Sequence, residues 1–354
     1  MLDVLYGPND TRRNLYVSVV PFARTINIGT ANSAMLDTSS MPAGWSQAAW
    51  SGCVEARRNG EDITETSPAT PQGRFRPYFW PSTYRQVGTY PANCSDSARA
   101  YASLNGTRWC RGDNDYSTTS ATIPQSHLDT NPHYRSLRDD GAPQPYFGPN
   151  TLCAQNSILP LTASKAAVLQ HVNAITAPGR SGGTTVVTGM QGGWFTLSPD
   201  WRGWWPSTNP AGTPALHNTR HMRKAVVLLS DGDNNWQGAT SVYPSIRGNE
   251  LFYNAYGRLA DNRLPITLST NYNTTASRAD AALDTRWSTV CTAMKNRGIA
   301  VYVIGFGVAS SAHRTLLRNC ATAPDYYFES PTTSALQATF RKVANRLAGL
   351  RLAE

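Results

Sequence analysis

The run at residues 224–235, KAVVLLSDGDNN, constrains the fold of this chain more than any other feature. Residues 225–229 are continuously apolar, rich in β-branched side chains and bounded by polar ones. That is the pattern of a strand buried on both faces, as in a parallel sheet. The run ends in Ser230-Asp231-Gly232-Asp233. In an open α/β sheet, ligands bind just past the carboxyl ends of the strands. A carboxylate there, followed by a glycine that lets the chain turn sharply, is well placed to face a cation or a polar ligand. The same residues also suit an ordinary turn that caps the next segment.

Residues 299–306, IAVYVIGF, predict a second fully buried strand. Residues 15–22, LYVSVVPF, alternate and predict a strand, and 25–29, TINIG, a short one antiparallel to it. Residues 157–162 read as a short extended piece and 326–328 as a short strand. Helices are expected at 2–6 (a last turn), 164–175, from 186 towards 197, 283–297, 311–318 and 332–350. Ala167, Val168, Val172 and Ile175 would form the inner face of the second of these. Leu336, Phe340, Val343, Leu347 and Leu350 would do so in the last. Strand and helix alternate, which predicts an α/β fold with a doubly wound, mostly parallel sheet. We read residues 1–354 as one domain with long insertions at 30–156 and 235–283. The first is too long for an ordinary loop. It holds Trp45, Trp50, Tyr78, Phe79, Trp80, Tyr101 and Trp109 and four of the six cysteines, which predicts an ordered, disulfide-braced insertion.

The six cysteines are widely spaced and contain no C-x-x-C pair, which argues against a zinc ribbon. In a loop-rich chain they predict disulfides and an oxidising, extracytoplasmic compartment such as the periplasm or cell envelope. The expected pairs are Cys291–Cys320, Cys94–Cys110 and Cys53–Cys153. No signal peptide or membrane span follows Met1, so the protein's true N-terminus is expected to lie upstream. The net charge is +9, but the basic residues are scattered and no nucleic-acid-binding motif is present, so no nucleic-acid partner is expected.

A glycine-rich loop, Gly182-Gly183-Thr184-Thr185, precedes the helix at 186. The Thr184 hydroxyl and the Asp231 carboxylate are hard oxygen donors of the kind Mg²⁺ takes while keeping several waters. The loop lacks the Lys-Ser/Thr ending of a phosphate loop. His217 and His221 have zinc-chelating spacing only if they share a helix, and they lack the Glu of a metalloprotease motif. Trp194, Trp201, Trp204, Trp205 and Trp236 suit either stacking on sugars or packing of the insertions. No G-x-S-x-G elbow is present, and we read the chain as not an enzyme.

Together VVPF, INIG, the Gly-Gly-Thr loop, KAVVLLSDGDNN, GIAVYVIGF and a C-terminal helix resemble a von Willebrand factor type A domain. WSGCVEAR (50–57), FRPYFWP (75–81), LSPDWRGWW (197–205), LDTRWSTVCTAMKNRGIAVYVIGFG (283–307), YYFESP (326–331) and LRLAE (350–354) are similar to TadG-like proteins of the tight-adherence (Flp) pilus-assembly system. The resemblance implies a non-catalytic adhesion or assembly module, a protein partner from the pilus or cell surface, and an N-terminal membrane anchor. It also implies a metal-ion-dependent adhesion site, with Thr184 and Asp231 matching two of its positions. The family's D-x-S-x-S loop, which follows the first strand, is absent. The central strand is therefore expected to be missing from this chain, and Mg²⁺ binding to be weak or none. The alternatives are a secreted metal-dependent hydrolase and a Trp-rich glycan-binding module.

Overall fold

The computed structural model describes residues 1–41, 45–79, 150, 153–176, 183–207, 209–236, 253–269 and 271–349, and the backbone of three strands between 85 and 110. Helix α1 (Leu2–Tyr6) leads to β1 (Val17–Val19), and β2 (Ile26–Asn27) pairs antiparallel with β3 (Cys53–Val54). Strands β4 (Arg85–Thr89), β5 (Ala100–Leu104) and β6 (Thr107–Cys110) form a separate antiparallel sheet with β6 in the middle. Next, β7 (Leu159–Thr162) pairs antiparallel with β1, followed by α2 (Lys165–Asn173) and α3 (Val186–Leu197). The chain continues through β8 (Lys224–Ser230), a hairpin of β9 (Tyr253–Asn254) and β10 (Gly257–Arg258), and α4 (Tyr272–Asn296). It ends with β11 (Ile299–Phe306), α5 (Ser311–Cys320), β12 (Tyr327–Ser330) and α6 (Thr333–Gly349).

The principal sheet is parallel, with β11 between β8 and β12. Successive side chains of a strand point to opposite faces. Ile299, Val301 and Val303 accordingly pack on Leu283, Trp287, Val290 and Met294 of α4, on Val187 and Met190 of α3 and on Leu317 of α5. Tyr302 and Ile304 pack on the other face against Val343, with Leu336 and Phe340 of α6. Helices thus cover both faces of a parallel sheet, as expected, and β11 is buried from Val301 to Gly305, with Ala300 half-buried and Phe306 at its end 37% exposed.

Four local expectations differ. The expected antiparallel pairing of 25–29 with 15–22 is not made: β2 pairs with β3, β1 pairs with β7, and the two segments meet only in an isolated Phe22–Ile26 bridge, because each finds its ladder partner in a distant segment. Strand β8 is not buried on both faces: Leu228 is buried, Ala225 to Val227 are half-buried and Leu229 is 39% exposed. Burial of a strand depends on its neighbours, and β8 pairs with β11 on one edge only among the described residues. In α2 only Val168 is buried, while Val172 and Ile175 are 46% and 41% exposed. Finally, the helix expected from 283 begins at Tyr272, inside the second expected insertion. Asn271 caps it by accepting the Thr274 N–H, and Ala276 and Ala279 continue the buried stripe of Leu283, Trp287, Val290 and Met294.

Two of the three expected disulfides are present, Cys53–Cys153 and Cys291–Cys320. The expected Cys94–Cys110 pair lies outside the described residues. The described part of the first insertion is ordered. Trp50, Phe75 and Phe79 pack with Ile26, Ile28, Phe195, Trp201 and Trp205 in one cluster. Among the described residues no helix is long and apolar enough to cross a membrane.

Candidate functional site

The structure brings the two sequence-identified residues onto adjoining loops at the carboxyl end of β8. Thr184 forms an antiparallel bridge with Asn235, accepting its N–H at 2.9 Å, four residues beyond Asp231. Gly183 permits this approach, because a Cβ there would lie 2.0 Å from the Asn235 carbonyl oxygen. The next residue, Thr185, donates its N–H to the Ala23 carbonyl, which ties the loop to the segment between β1 and β2.

The turn after β8 follows its sequence chemistry. Ser230 Oγ accepts the Gly232 N–H at 3.0 Å, and Asp231 Oδ1 accepts that of Asp233 at 3.2 Å. Gly232 has φ 86°, and an added Cβ would meet Leu317 and His313 of α5. Asp231 itself is exposed. Asn234 is buried and joins three elements. Its Oδ1 accepts the Val186 N–H at the start of α3, and its Nδ2 donates to Asp284 of α4 at 2.8 Å.

Sequence reading missed the acidic face of α4 that closes this region. Asp280 accepts the Trp236 N–H at 2.7 Å, and Asp284 lies one turn further along. Burial, reinforced by the like charges of Asp233 and Asp284, pushes Asp280 up to about 7 despite its bond to Trp236. Burial also raises Asp284, where Asn234 and His313 oppose it and Asp233 adds to it. The i, i+4 spacing of the two carboxylates was available in the sequence. It went unread because 280 lay before the expected start of the helix.

The raised value at Asp280 has a measurable consequence. Between 3.8, where it would titrate unfolded, and about 7, the folded state holds the extra proton. Stability is therefore lost as pH rises through that window. Asp280→Asn keeps an oxygen for Trp236 and removes the charge. We expect it to stabilise the fold at pH 8 by roughly 2–4 kcal/mol and to be neutral near pH 4. Urea midpoints measured at both pH values check this.

The remaining candidates separate clearly. His217 and His221 lie in turns rather than on a helix, so their spacing does not align them. His217 Nε2 instead sits 2.8 Å from Glu65, a carboxylate only 7% exposed that also pairs with Arg297 at 2.6 Å. Of the five tryptophans, Trp194, Trp201, Trp205 and Trp236 are buried. Trp201 stacks on Phe195 at 4.2 Å and donates to the Glu65 carbonyl. Trp204 is half-buried against the cluster of Phe195, Trp201 and Trp205.

Thr184 and Asp231 offer a hydroxyl and an exposed carboxylate at neighbouring loops, and among the described residues no group of three or more His, Cys, Asp or Glu side chains is placed to hold a metal ion. Compared with known proteins, the chain matches no family model, no curated protein and no solved structure.

Proposed function

We propose that this chain is the body of a non-catalytic binding or assembly module of the von Willebrand A type, serving a TadG-like pilus-assembly system outside the cytoplasm. The observation that carries the reading is the Thr184–Asn235 bridge. It sets a threonine loop beside the Asp231 turn at the carboxyl end of a parallel strand, in a sheet covered by helices on both faces. Two disulfides suit an oxidising compartment, consistent with that location.

In this reading Thr184 and Asp231 supply two oxygen donors to a Mg²⁺ ion. A D-x-S-x-S loop, a motif the sequence does not hold, supplies the rest from a further strand beside β8. Two donors compete poorly with water for a divalent ion. The chain alone is then expected to show no saturable Mg²⁺ binding below about 1 mM by calorimetry. Fusion of an apolar strand ending in D-x-S-x-S ahead of Met1 should create such binding. Asp231→Ala in that fusion should weaken it at least about tenfold. Equal heats from the chain and the fusion would remove the cation from the function.

A further inference from the structure

The amino end of the parallel sheet carries a second cluster of polar groups. Arg297, just ahead of β11, pairs with Glu65 of the first insertion at 2.6 Å. Lys224, the first residue of β8, lies within electrostatic reach of Glu65 and Asp200. Asp231 follows the opposite end of that strand, roughly 20 Å away. The run at 64–70 is fastened from behind. Arg57 donates to the Thr64 and Thr66 carbonyls, and the Trp201 indole N–H to that of Glu65 at 2.8 Å. The Thr70 N–H takes the Ser67 carbonyl at 3.4 Å and Arg74 Nε that of Pro68 at 3.3 Å. The carbonyls from 64 to 68 are thus all occupied, so this run is held rigid and offers its side chains outward.

These residues, with Asp200 and Arg297, line a cavity of about 430 Å³, a size that holds small molecules. Every residue of its wall is polar or charged. Glu65, 7% exposed, takes Arg297 Nε and sits 2.8 Å from His217 Nε2, which fixes the guanidinium and balances its charge. The Thr64 hydroxyl is committed to Glu61 and Thr66. Among the described residues, the Ser67 and Thr70 hydroxyls, the Asp200 carboxylate and the Arg297 Nη groups have no hydrogen-bond partner in the protein. A rigid wall thus carries an acceptor, a donor fork and two hydroxyls that both give and accept.

We infer that this cavity is a binding site for a neutral saccharide unit of one or two rings. The ligand class follows from what the wall holds and lacks. No apolar side chain lines it, so a lipid, a nucleobase or an aromatic group finds no seat. A phosphate or carboxylate would meet Asp200 unbalanced and an arginine already paired with Glu65. An ammonium group would have one exposed carboxylate, which holds it weakly. Each sugar hydroxyl both donates and accepts, and two neighbouring ones can give their protons to one carboxylate while accepting from a guanidinium. Trp201 serves from behind the wall, its indole N–H on the Glu65 carbonyl and its ring on Phe195, so the sugar is read along its hydroxyl edge rather than stacked. The site adds a ligand to the proposed binding module and does not use its cation loops.

The probes are maltose, cellobiose, lactose and mannobiose, titrated against the chain by saturation-transfer NMR in EDTA. At least one should saturate with a dissociation constant of about 0.1–10 mM, while glycine and inorganic phosphate should show no saturable binding in that range. Asp200→Ala removes an exposed carboxylate that makes no hydrogen bond in the protein, so the fold should survive while sugar binding weakens at least about tenfold. Thr70→Val keeps the shape of an exposed side chain and removes its hydroxyl, and should weaken binding about threefold or more. Failure of all four sugars to saturate, binding indifferent to Asp200→Ala and Thr70→Val, or saturable glycine or phosphate binding in their place would each overturn the site. So would sugar binding that appears only when Mg²⁺ replaces EDTA, which would assign it to the Asp231 end. Because the titration excludes metal, its failure leaves the Mg²⁺ reading standing, and the converse holds.

Discussion

Replacing Cys53 and Cys153 together by alanine should cost about 4–5 kcal/mol, and replacing Cys291 and Cys320 about 3–4 kcal/mol. The order follows from the loops the bridges close in the unfolded chain, because the sequence separations are 100 and 29. In the folded state the longer bridge is not the only tie at its site. Asn27 donates to the Ala154 and Ser51 carbonyls, the Ser51 N–H reaches Asn150 Oδ1, and the Trp50 indole N–H reaches the Cys53 carbonyl at 2.6 Å. The Ser51–Asn150 bond and the two bonds from Asn27 hold the segments together once the chain has folded, and the Trp50 bond fixes the local turn before Cys53. Loss of the bridge therefore acts chiefly on the freedom of the unfolded ensemble. Urea denaturation of the two double variants and the parent measures the difference. A larger loss at Cys291–Cys320, where both cysteines are buried between α4 and α5, would mean that local packing outweighs loop closure.

Elements whose burial is set by their own composition were legible in the sequence. Residues 299–306 announced a doubly covered strand, and it is one up to Gly305, with Phe306 exposed. Residues 225–229 carry the same signature, but among the described residues β8 pairs on one edge only, and no feature of its own residues records what lies next to it. The start of α4 was hidden by Tyr-Asn-Thr-Thr, a run poor in strong helix formers. Its helix is set by the Asn271 cap and by tertiary burial of Ala276 and Ala279, which override propensity. That error cost half of the candidate site. Thr184 and Asp231 were found from motif chemistry, whereas Asp280 sat in a segment assigned to a loop. Contacts such as Glu65 with His217 and Arg297 span long stretches of chain, and no local pattern encodes them.

Arg286→Leu should be among the most damaging single substitutions, at about 3–5 kcal/mol and towards the lower end because the arginine is 21% exposed. Its partner Asp62 is 3% exposed, and Arg286 Nη1 lies 2.5 Å from its carboxylate. Tyr256 donates its hydroxyl to the same oxygen at 2.8 Å. Burial, then the Asp62 charge, raises the Tyr256 phenol well above 10, so it stays a donor and cannot supply the missing positive charge. Without Arg286 a carboxylate remains between α4 and the first insertion, hydrogen-bonded by the neutral Tyr256 hydroxyl and with the buried Arg57 guanidinium as a remaining nearby positive charge among the described residues. Neutralising it separates this cause from lost packing. Asp62→Asn added to Arg286→Leu should recover all but about 1–2 kcal/mol, since breaking a buried pair is far worse than removing it. A double-mutant cycle in urea reads the result. No recovery in the double variant would assign the loss to the packing of the arginine stem on the Tyr256 ring, over which its guanidinium lies at 5.7 Å.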